Sequence, residues 1–408
     1  MPGNKQPRLG ILPRGWTERR LGEIGEALIG LTYSPNDVAP DGRLVLRSSN
    51  VADGALRFED NVFVNMEVPE RAVVREGDIL VCARNGSRDL IGKCAKIDTR
   101  ADGMAFGAFM AIFRTSYHEF VYYQFQSESL KRQIHEHLGA TINQITNASL
   151  NSFRIAIPDS EAERHAIAAA LSDVDALLLK LDQLIAKKRD LKLGAMQELL
   201  TGQTRLPGFS GQWQRQRLGD VGTFSKGSGI KKDQVLQEGI PCVRYGELYT
   251  RHEDHIRQFY SFISPEIARE SQLLRRGDLL FAGSGETAEE IGKCVAFLGA
   301  EEAYAGGDIV IFRPRQQDSM YLGYLMNHPS VVAQKARMGQ GDAVVHISAR
   351  NLATLEVIIP EFAEQVAIAA VISDLDADIT ALVARRDKTL MVKQGMLQEL
   401  LTGRIRLV

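Results

Sequence analysis

Cysteine is scarce in this 408-residue sequence, and its four copies lie far from any metal-binding pattern, at Cys82, Cys94, Cys242 and Cys294. Without a Cys-x-x-Cys pair, we expect no structural metal and reduced thiols in a cytoplasm. No apolar run approaches the roughly 20 residues that span a bilayer. The first residues, MPGNKQPRLGILPRGW, lack the apolar core of a signal peptide. The sequence therefore predicts a cytoplasmic protein without membrane segments.

Motifs for catalysis and nucleotide binding are also missing. There is no Asn/Asp-Pro-Pro-aromatic motif for amino methylation and no Gly-x-x-x-x-Gly-Lys-Ser/Thr phosphate loop. The nearest string to that loop, GTFSKGSG, has Ser228 where lysine is required. Pro158-Asp159 could begin a nuclease carboxylate motif, but Glu-x-Lys does not follow it. These absences are consistent with a non-catalytic role.

A basic surplus is absent too. Lys and Arg number 49 against 51 Asp and Glu, which gives a formal net charge of −2. Proteins that bind nucleic acids usually carry a basic surplus. If this chain binds nucleic acid, its basic residues must therefore be concentrated locally, with acidic residues elsewhere.

What the sequence does contain is an internal repeat, in which the second half resembles the first. LGAMQELLTGQTRL ends at Leu206, and QGMLQELLTGRIRL ends at Leu407, roughly 200 residues later. Further segments recur in the same order; they pair TERRLGEIG with QRQRLGDVG, REGDILVCA with RRGDLLFAG, IGKCA with IGKCV, AIFR with VIFR, QITNASL with HISARNL, and SDVDA with SDLDA. Two such long units indicate an internal duplication, because solenoid repeats run only about 20–50 residues.

The first part of each unit has mixed character. Short apolar runs such as DILVCA, AFMAIF and FRIAI, separated by Gly, Asn, Asp and Ser, are typical of strands. One helix-like segment follows in each copy, HEFVYYQFQSESLKRQIHEHL and SMYLGYLMNHPSVVAQKAR. The pattern predicts an α+β fold with a mixed sheet in each unit.

The second part of each unit is predicted to be one long helix. It begins after Pro158 or Pro360 and ends at Gly202 or Gly403, and Ser160 and Glu163 have capping-box spacing in the first copy. About 40 residues would form a rod of roughly 60 Å. Apolar residues recur at heptad spacing. The heptad residues are Ile167, Leu171, Val174, Leu178, Leu181 and Ile185, then Ile368, Ile372, Leu375, Ile379 and Leu382.

The two apolar stripes need a partner, and each copy offers one to the other. We expect the helices to pack as an antiparallel coiled coil that joins two α/β domains related by pseudo-twofold symmetry. Twofold-related domains at a fixed distance suit a duplex target with two half-sites. The predicted boundaries are 1–158 and 208–360 for the domains, and 159–207 and 361–408 for the helices with the linker.

The whole chain resembles the specificity subunits of type I restriction-modification systems. The QELLTGxxRL tail, the W-xxxx-RLGEIG opening and the GDIL strand carry the resemblance, and each occurs in both copies. The resemblance implies a non-catalytic protein whose two target-recognition domains each read half of a bipartite double-stranded DNA site. It also implies that two adenine methyltransferase subunits dock on the chain and that restriction-translocation subunits join them. S-adenosylmethionine, ATP and Mg would then bind the partners, and QELLTG would recur because two identical partners need equivalent docking surfaces.

Three polar regions in each unit are candidates for DNA contact. The first is a strand end with Arg47 and Asn50 in one copy and Arg244 and Tyr245 in the other. Arginine suits guanine and asparagine suits adenine. An internal ion pair is the alternative for the two arginines. Because they recur in two domains that are expected to read different sequences, a structural role or a phosphate contact explains them at least as well as base readout.

The second region is the loop after the GDIL strand, where the side chains differ between copies while the frame is kept. Its candidate residues are Arg84, Asn85, Ser87 and Arg88 in one copy, and Ser284 and Thr287 in the other. Two readers of different half-sites would look like this, but so would an ordinary Asn-Gly hairpin turn. Lys93 and Lys293 follow, either as phosphate contacts or as solvated lysines.

The third region is a Gly-containing polar loop with Thr141, Asn143 and Gln144 in one copy and His346 in the other. Such loops can approach a backbone closely, although a lone histidine is more often a structural residue. A basic patch suited to phosphates begins the second domain; it consists of Lys226, Lys231 and Lys232.

Two basic clusters interrupt the heptads, Lys187-Lys188-Arg189 and Arg385-Arg386. They form either a solvated helix face or contacts to the phosphates of unread base pairs. A tandem DNA-binding or scaffold protein outside restriction would use the same architecture and stays the alternative. A fused methyltransferase is disfavoured by the missing catalytic motifs.

Overall fold

A computed structural model describes residues 12–138, 143–341 and 344–407 of the chain. The chain divides into two compact units, Met1–Asp182 with Ala384–Val408, and Gln183–Val383. Each unit contains a globular α/β domain, the first part of one long helix and the last part of the other. In the described ranges, no helix combines the length and apolar character that crossing a membrane requires.

The domain of the first unit is built around an antiparallel four-stranded sheet with the strand order Glu26–Ile29, Met110–Arg114, Ile79–Cys82, Cys94–Lys96. Ile79 and Val81 face one hydrophobic core, while Leu80 and Cys82 face another. This alternation follows from the two-residue period of a strand and explains why the GDIL strand is apolar on both faces.

Smaller sheets complete this domain. A mixed three-stranded sheet has the order Phe63–Val64, Val38–Leu46, Ala105–Phe106, with the last pair parallel. Two antiparallel pairs join Trp16–Arg20 to Arg154–Pro158 and Val51–Ala52 to Ala55–Leu56. The helical elements are Leu21–Ile24, His118–Gln126, Glu128–His137 and Asn147–Ser152, with 3₁₀ turns at Pro35–Asp37, Ser48–Asn50, Glu70–Ala72 and Arg88–Leu90.

The second unit repeats the antiparallel sheet, in the order Gly222–Lys226, Ile309–Pro314, Leu279–Ala282, Cys294–Ala296. Its mixed sheet has the order Ser261–Ile263, Ile240–Val243, Tyr304–Ala305, Gln272–Leu273. Two antiparallel pairs join Gln214–Arg217 to Glu356–Ile359 and Ser284–Gly285 to Val345–His346. The helical elements are Tyr245–Thr250, Pro265–Glu270, Ser319–Asn327, Pro329–Met338 and Ala349–Ala353, with 3₁₀ turns at Leu218–Asp220 and Lys232–Gln234.

The mixed sheet and the α/β character agree with the sequence prediction, but the single helix expected near the end of each domain is two helices. In the first domain the break is at Ser127, whose hydroxyl caps the next helix by accepting the Leu130 N–H at 3.2 Å. In the second domain Pro329 starts the new helix, because proline lacks the N–H that a continuing helix would need.

The repeated Gly-Asp and Phe-Arg motifs build the same ion pair in each domain. Arg114 donates Nε and Nη2 to the two carboxylate oxygens of Asp78 at 2.8 and 2.7 Å. Arg313 donates in the same way to Asp278, at 2.7 Å for both bonds. The aspartates are 3% and 0% exposed, so each needs its arginine. These motifs therefore recur for a structural reason.

The long helices span Glu161–Leu199 and Phe362–Leu400. In the first unit Ile167 and Leu171 share a core with Leu400 and Leu401. In the second unit Ile368 and Ile372 share a core with Leu199 and Leu200 in the same manner. Within each unit the beginning of one helix therefore lies beside the end of the other, which is the antiparallel arrangement expected from the sequence. Every predicted heptad residue is buried or partly buried.

The QELLTGxxR motif closes each of these helix pairs. The two leucines are buried, and the glycines, Gly202 and Gly403, have φ of 72° and 71°. A Cβ on Gly403 would lie 3.0 Å from the Trp16 ring, so no larger residue fits there. The motif therefore has an internal role, in addition to any docking role.

The arginine after that motif neutralises a buried glutamate at the start of a long helix. Arg406 donates Nε and Nη2 to Glu163 at 2.5 and 2.8 Å, and Arg205 donates to Glu364 at 2.5 and 2.7 Å. Both glutamates are 1% exposed. Ser160 caps the first helix as expected, accepting the Glu163 N–H at 3.3 Å, but the Glu163 carboxylate faces Arg406 instead of completing a capping box.

The repeated SDxD motif supplies a second polar cluster in each unit, in which Asp376 is buried and Asp175 is partly buried. Asp175 accepts bonds from Tyr123 at 3.0 Å and Lys393 at 2.6 Å. In the second unit, Asp376 is bonded by Tyr324 and by Lys192, both at 2.8 Å. Each cluster joins a globular domain to both long helices, and a polar group with a specific partner set can fix the register of packed helices.

Candidate nucleic-acid interface

Two loops that are about 60 residues apart in each domain meet through the same backbone bridge. In the first domain Arg84 forms an antiparallel bridge with Gln144. In the second domain Ser284 pairs with His346 at the equivalent position. Two of the three candidate regions thus form one surface in each copy, with different side chains on the same frame.

In the first domain this surface borders an open cleft of about 1270 Å³. The cleft brings together candidate residues from all three regions; they are Arg47, Arg84, Asn85, Asn143 and Gln144. Asn143 is exposed and Gln144 is partly buried. Thr141, the remaining candidate of the third region, lies outside the described residues.

Arg84 is held in place on this surface from two sides. Its Nε donates to the Gln144 Oε1 at 3.1 Å, and its Nη2 donates to the same oxygen. Its guanidinium carbon lies 5.6 Å from the centre of the Phe109 ring, which is cation–π range. Phe109 is 60% exposed, although it follows a buried strand and precedes another.

The rest of the second region in the first domain forms a compact turn. Asn85 donates to the Ser48 hydroxyl at 2.9 Å and accepts the Ser87 N–H at 2.9 Å. This Asx-type turn fixes the loop and leaves Ser87 and Arg88 exposed. Arg88 donates to the His135 carbonyl at 3.1 Å.

The first region of the first domain has a mainly internal role. Arg47 donates to Asp60 at 2.9 Å, so the internal ion pair is present. Asn50 is 0% exposed; its oxygen accepts the Arg47 N–H and its nitrogen donates to Arg57 and Asp60 carbonyls. Because its amide is buried and bonded, Asn50 is not retained as a base contact. Lys93 is partly buried, and its Nζ donates to the Ser48 and Val51 carbonyls, so it has an internal role in this domain.

The equivalent basic residues of the second domain also have partners within their own domain. Arg244 faces Glu247, with N···O distances of 3.2 Å from its backbone and 3.4 Å from Nε. Lys293 donates to the His252 carbonyl at 2.8 Å, and burial lowers the pKa of its ammonium group. Tyr245 is 41% exposed and stays available for contact.

On the paired loops of the second domain, Ser284 is 4% exposed and its hydroxyl is 2.9 Å from the His346 Nδ1. His346 itself is exposed, so its other ring nitrogen can face a ligand. Thr287 is exposed, and its hydroxyl accepts the Glu290 N–H at 3.3 Å. Ser284 therefore orients His346 and is not itself a surface group.

The basic patch of the second domain, Lys226, Lys231 and Lys232, is fully on the surface. Lys226 ends a strand of the antiparallel sheet, and the other two border the 3₁₀ turn Lys232–Gln234. Within the described part of the chain, none of the three pairs with a carboxylate. Their charges are therefore free to meet phosphates.

The basic clusters on the long helices divide into two kinds. Lys188 pairs with Asp378 at 2.6 Å, and Arg386 pairs with Asp387 at 2.6 Å. Lys187, Arg189 and Arg385 are exposed and have no carboxylate partner among the described residues. The described ranges also contain no group of His, Cys, Asp and Glu that could hold a metal ion.

A family model of the type I restriction modification DNA specificity domain matches the chain twice, over residues 13–188 and 211–390. The chain belongs to this family. Each match of this DNA specificity domain contains one globular domain and most of the long helix that follows it. The two matches therefore repeat the duplication seen in the sequence.

Two curated relatives are specificity subunits. The chain is 27% identical over 312 residues to the type I restriction enzyme EcoKI specificity subunit of Escherichia coli, covering 70% of this chain and 65% of that protein. It is 29% identical over 189 residues to the StySPI specificity subunit of Salmonella potsdam, covering 44% of this chain and 39% of that protein. The chain therefore spans less than two thirds of the length of these relatives.

The fold agrees with a solved member of the same group. The crystal structure of a type I restriction-modification S subunit from M. genitalium has a TM-score of 0.60 to this chain at 16% identity. The match covers 96% of this chain and 97% of that one. At this identity the likeness concerns the fold alone.

One functional candidate was not visible in this specificity-domain sequence. Phe109 lies in an apolar stretch, GAFMAIF, where sequence pattern favours burial. The only available signal was its difference from the second copy, where Asp308 stands in the corresponding GGDIVIF. The structure adds Phe109 to the candidate interface.

Proposed function

We propose that this chain is the sequence-specific DNA-binding subunit of a type I restriction-modification complex. In this proposal each recognition domain reads one half of a bipartite double-stranded DNA site. The two long helices set the number of unread base pairs between the halves. The predicted division into recognition domains 1–158 and 208–360 and helical segments 159–207 and 361–408 is part of the proposal.

The observation that carries the proposal is the repeated loop bridge. The frame is the same in both copies, but Arg84 and Gln144 stand where the second copy has Ser284 and His346. Side chains that reach base edges determine sequence, while backbone and phosphate contacts only position a protein. Different polar side chains on one frame are therefore what two readers of different half-sites require.

The chain itself is proposed to be non-catalytic. S-adenosylmethionine, ATP and Mg would bind partner subunits, which are two methyltransferases and the restriction-translocation subunits. Exposed apolar residues on the long helices support partner docking, because contiguous apolar surface commonly marks an interface. Leu191 and Val392, at matching positions of the two helices, are 50% and 49% exposed.

A reducing compartment is part of the same proposal. All four cysteines are free and buried. Burial raises the pKa of Cys94, Cys242 and Cys294 to about 12, so these thiols are poor nucleophiles and poor sensors of oxidants. Such cysteines suit the cytoplasm, where the partner subunits and the DNA would be met.

The test is to co-express the chain with the methyltransferase encoded beside it and to map methylated adenines across the genome. We expect a two-part motif with a fixed gap that appears only when this chain is present. The L191D/V392D double variant should lose methylation while still binding DNA, which separates docking from reading. A verified complex with active methyltransferase that produced no new motif would instead favour a tandem DNA-binding or scaffold protein outside restriction.

A further inference from the structure

We propose that Arg84 reads a guanine in the major groove of the first half-site, with Phe109 and Gln144 as its positioning residues. This inference rests on the proposed function, since it names the base that one recognition domain selects. It assigns different roles to Arg84 and Gln144, which the sequence analysis placed in two separate candidate regions, and to Phe109, which the structure adds.

The three residues come from three segments that the fold ties together. The backbone N–H of Arg84 donates to the Phe109 carbonyl at 2.9 Å, and Arg84 is bridged to Gln144. The side chains repeat these links through the Gln144 Oε1 and the Phe109 ring, 5.6 Å from the guanidinium carbon. The guanidinium is thus oriented before any ligand arrives, which lowers the entropy lost on binding.

The chemistry of this cluster selects one base. The Gln144 Oε1 is already an acceptor for Arg84, so the free groups of the pair are the Arg84 Nη1, the remaining Nη2 hydrogen and the Gln144 amide nitrogen. In the described residues these nitrogens have no acceptor. A surface of donors fits guanine, which presents N7 and O6 acceptors in the major groove. Adenine would set its N6 donor against another donor, and cytosine presents a donor alone. Thymine presents a single acceptor, O4, beside its methyl group, so it would satisfy only one of the donors.

The proposal accounts for the exposed Phe109 ring. An aromatic side chain that is 60% exposed keeps unfavourable apolar contact with water. Here it lies against the Arg84 guanidinium, and both residues line the cleft. The second copy lacks this cluster, since Asp308, Ser284 and His346 stand at the equivalent positions. The second half-site is therefore not read by the same device.

The experiment compares methylation motifs of the wild-type complex with those of complexes carrying R84A, R84K, F109A, F109Y or R88A. R84A should lower discrimination at one guanine of one half-site by about 5- to 150-fold. R84K keeps a donor but loses the planar fork of the guanidinium, so it should lower discrimination by less. The other half-site and the gap should stay unchanged. F109A should relax the same position in part, while F109Y, which keeps a ring, should retain it. R88A, the matched loss of a charge from the same loop, should weaken binding without changing the motif.

A DNA-side measurement keeps the test independent of folding. Binding of the wild-type complex to a duplex carrying 7-deazaguanine at that position should weaken, because the N7 acceptor is gone. Binding of the R84A complex, which has no donor at this position, should be insensitive to the same change. An unchanged motif in R84A, relaxation at a base other than guanine, or an equal 7-deazaguanine effect in the wild-type and R84A complexes would overturn the inference. Failure of the proposed function looks different, since the wild-type complex would then give no bipartite motif at all.

Discussion

Replacing Lys335 by isoleucine should remove a pH-dependent penalty from the second unit. Lys335 is 1% exposed, and its Nζ has a single hydrogen-bond acceptor in the described residues, the Gly292 carbonyl at 2.5 Å. Burial lowers its pKa from 10.5 to about 8, with the nearby Cys294 opposing the shift. In the first domain Ile134 packs against Gly92 where Lys335 packs against Gly292, so isoleucine suits the site.

The magnitude follows from proton linkage. A folded pKa of about 8 against 10.5 in the unfolded chain means that the unfolded state binds more protons between these values. Stability of the wild type should therefore rise with pH across this window, and the full penalty, about 3 kcal/mol, applies below pH 8. Between pH 7.5 and 10 the stability advantage of K335I over the wild type should shrink by about 2 kcal/mol. This change does not depend on the fixed cost of losing the bond to Gly292.

The assay is urea unfolding followed by tryptophan fluorescence. The sequence has two tryptophans, and Trp213 lies in the same unit as Lys335, so a W16F background reports on that unit. The matched control is I134V in a W213F background, whose effect should not vary with pH because no titratable group changes. A K335I effect that is constant from pH 7.5 to 10 would refute the reasoning, since it would mean that Lys335 keeps an ordinary pKa in the folded protein.

Three other predictions concern the helices. Inserting one helical turn into both long helices should lengthen the unread gap by about one to two base pairs, as read from methylation motifs; altered half-sites would contradict the ruler. Neutralising Lys187, Arg189 and Arg385, the unpaired members of the two basic clusters, should flatten the salt dependence of DNA binding, and an unchanged slope would rule out their contact with phosphates. Arg406→Ala should destabilise the first unit in urea unfolding, because the buried Glu163 carboxylate loses its cationic partner. Adding Glu163→Gln should restore part of that loss, and no recovery would mean that Arg406 acts through packing.

Sequence alone was sufficient for features that depend on pattern. The duplication, the α+β domains and the two long helices follow from repeated strings, strand-like runs and heptad spacing. The helix break at Ser127 was missed because a single serine does not by itself predict the end of a helix. It ends one helix here because its side chain caps the next. Pro329 did carry a visible signal for the second break.

The candidate site was predictable only in part. The selection of polar loops in the sequence placed Arg84 and Gln144 among the candidates. The bridge between them depends on tertiary contacts that no local sequence pattern encodes. The buried role of Asn50 was hidden for the same reason, since an asparagine after a strand suits both a turn and a base contact. Lys93 shows that a lysine in a polar loop can be a structural donor to carbonyls.

The first unit combines segments from the two ends of the chain, and this affects its folding during synthesis. Residues up to Asp182 need Ala384–Val408 to complete their core, and about 200 residues are translated in between. At about 5–20 residues per second, a ribosome needs roughly 10–40 s for that stretch. During this time Ile167 and Leu171 lack Leu400 and Leu401, and Glu163 lacks Arg406. The nascent chain therefore exposes an apolar seam and an unpaired acid that chaperones would be expected to shield until synthesis reaches its last helix.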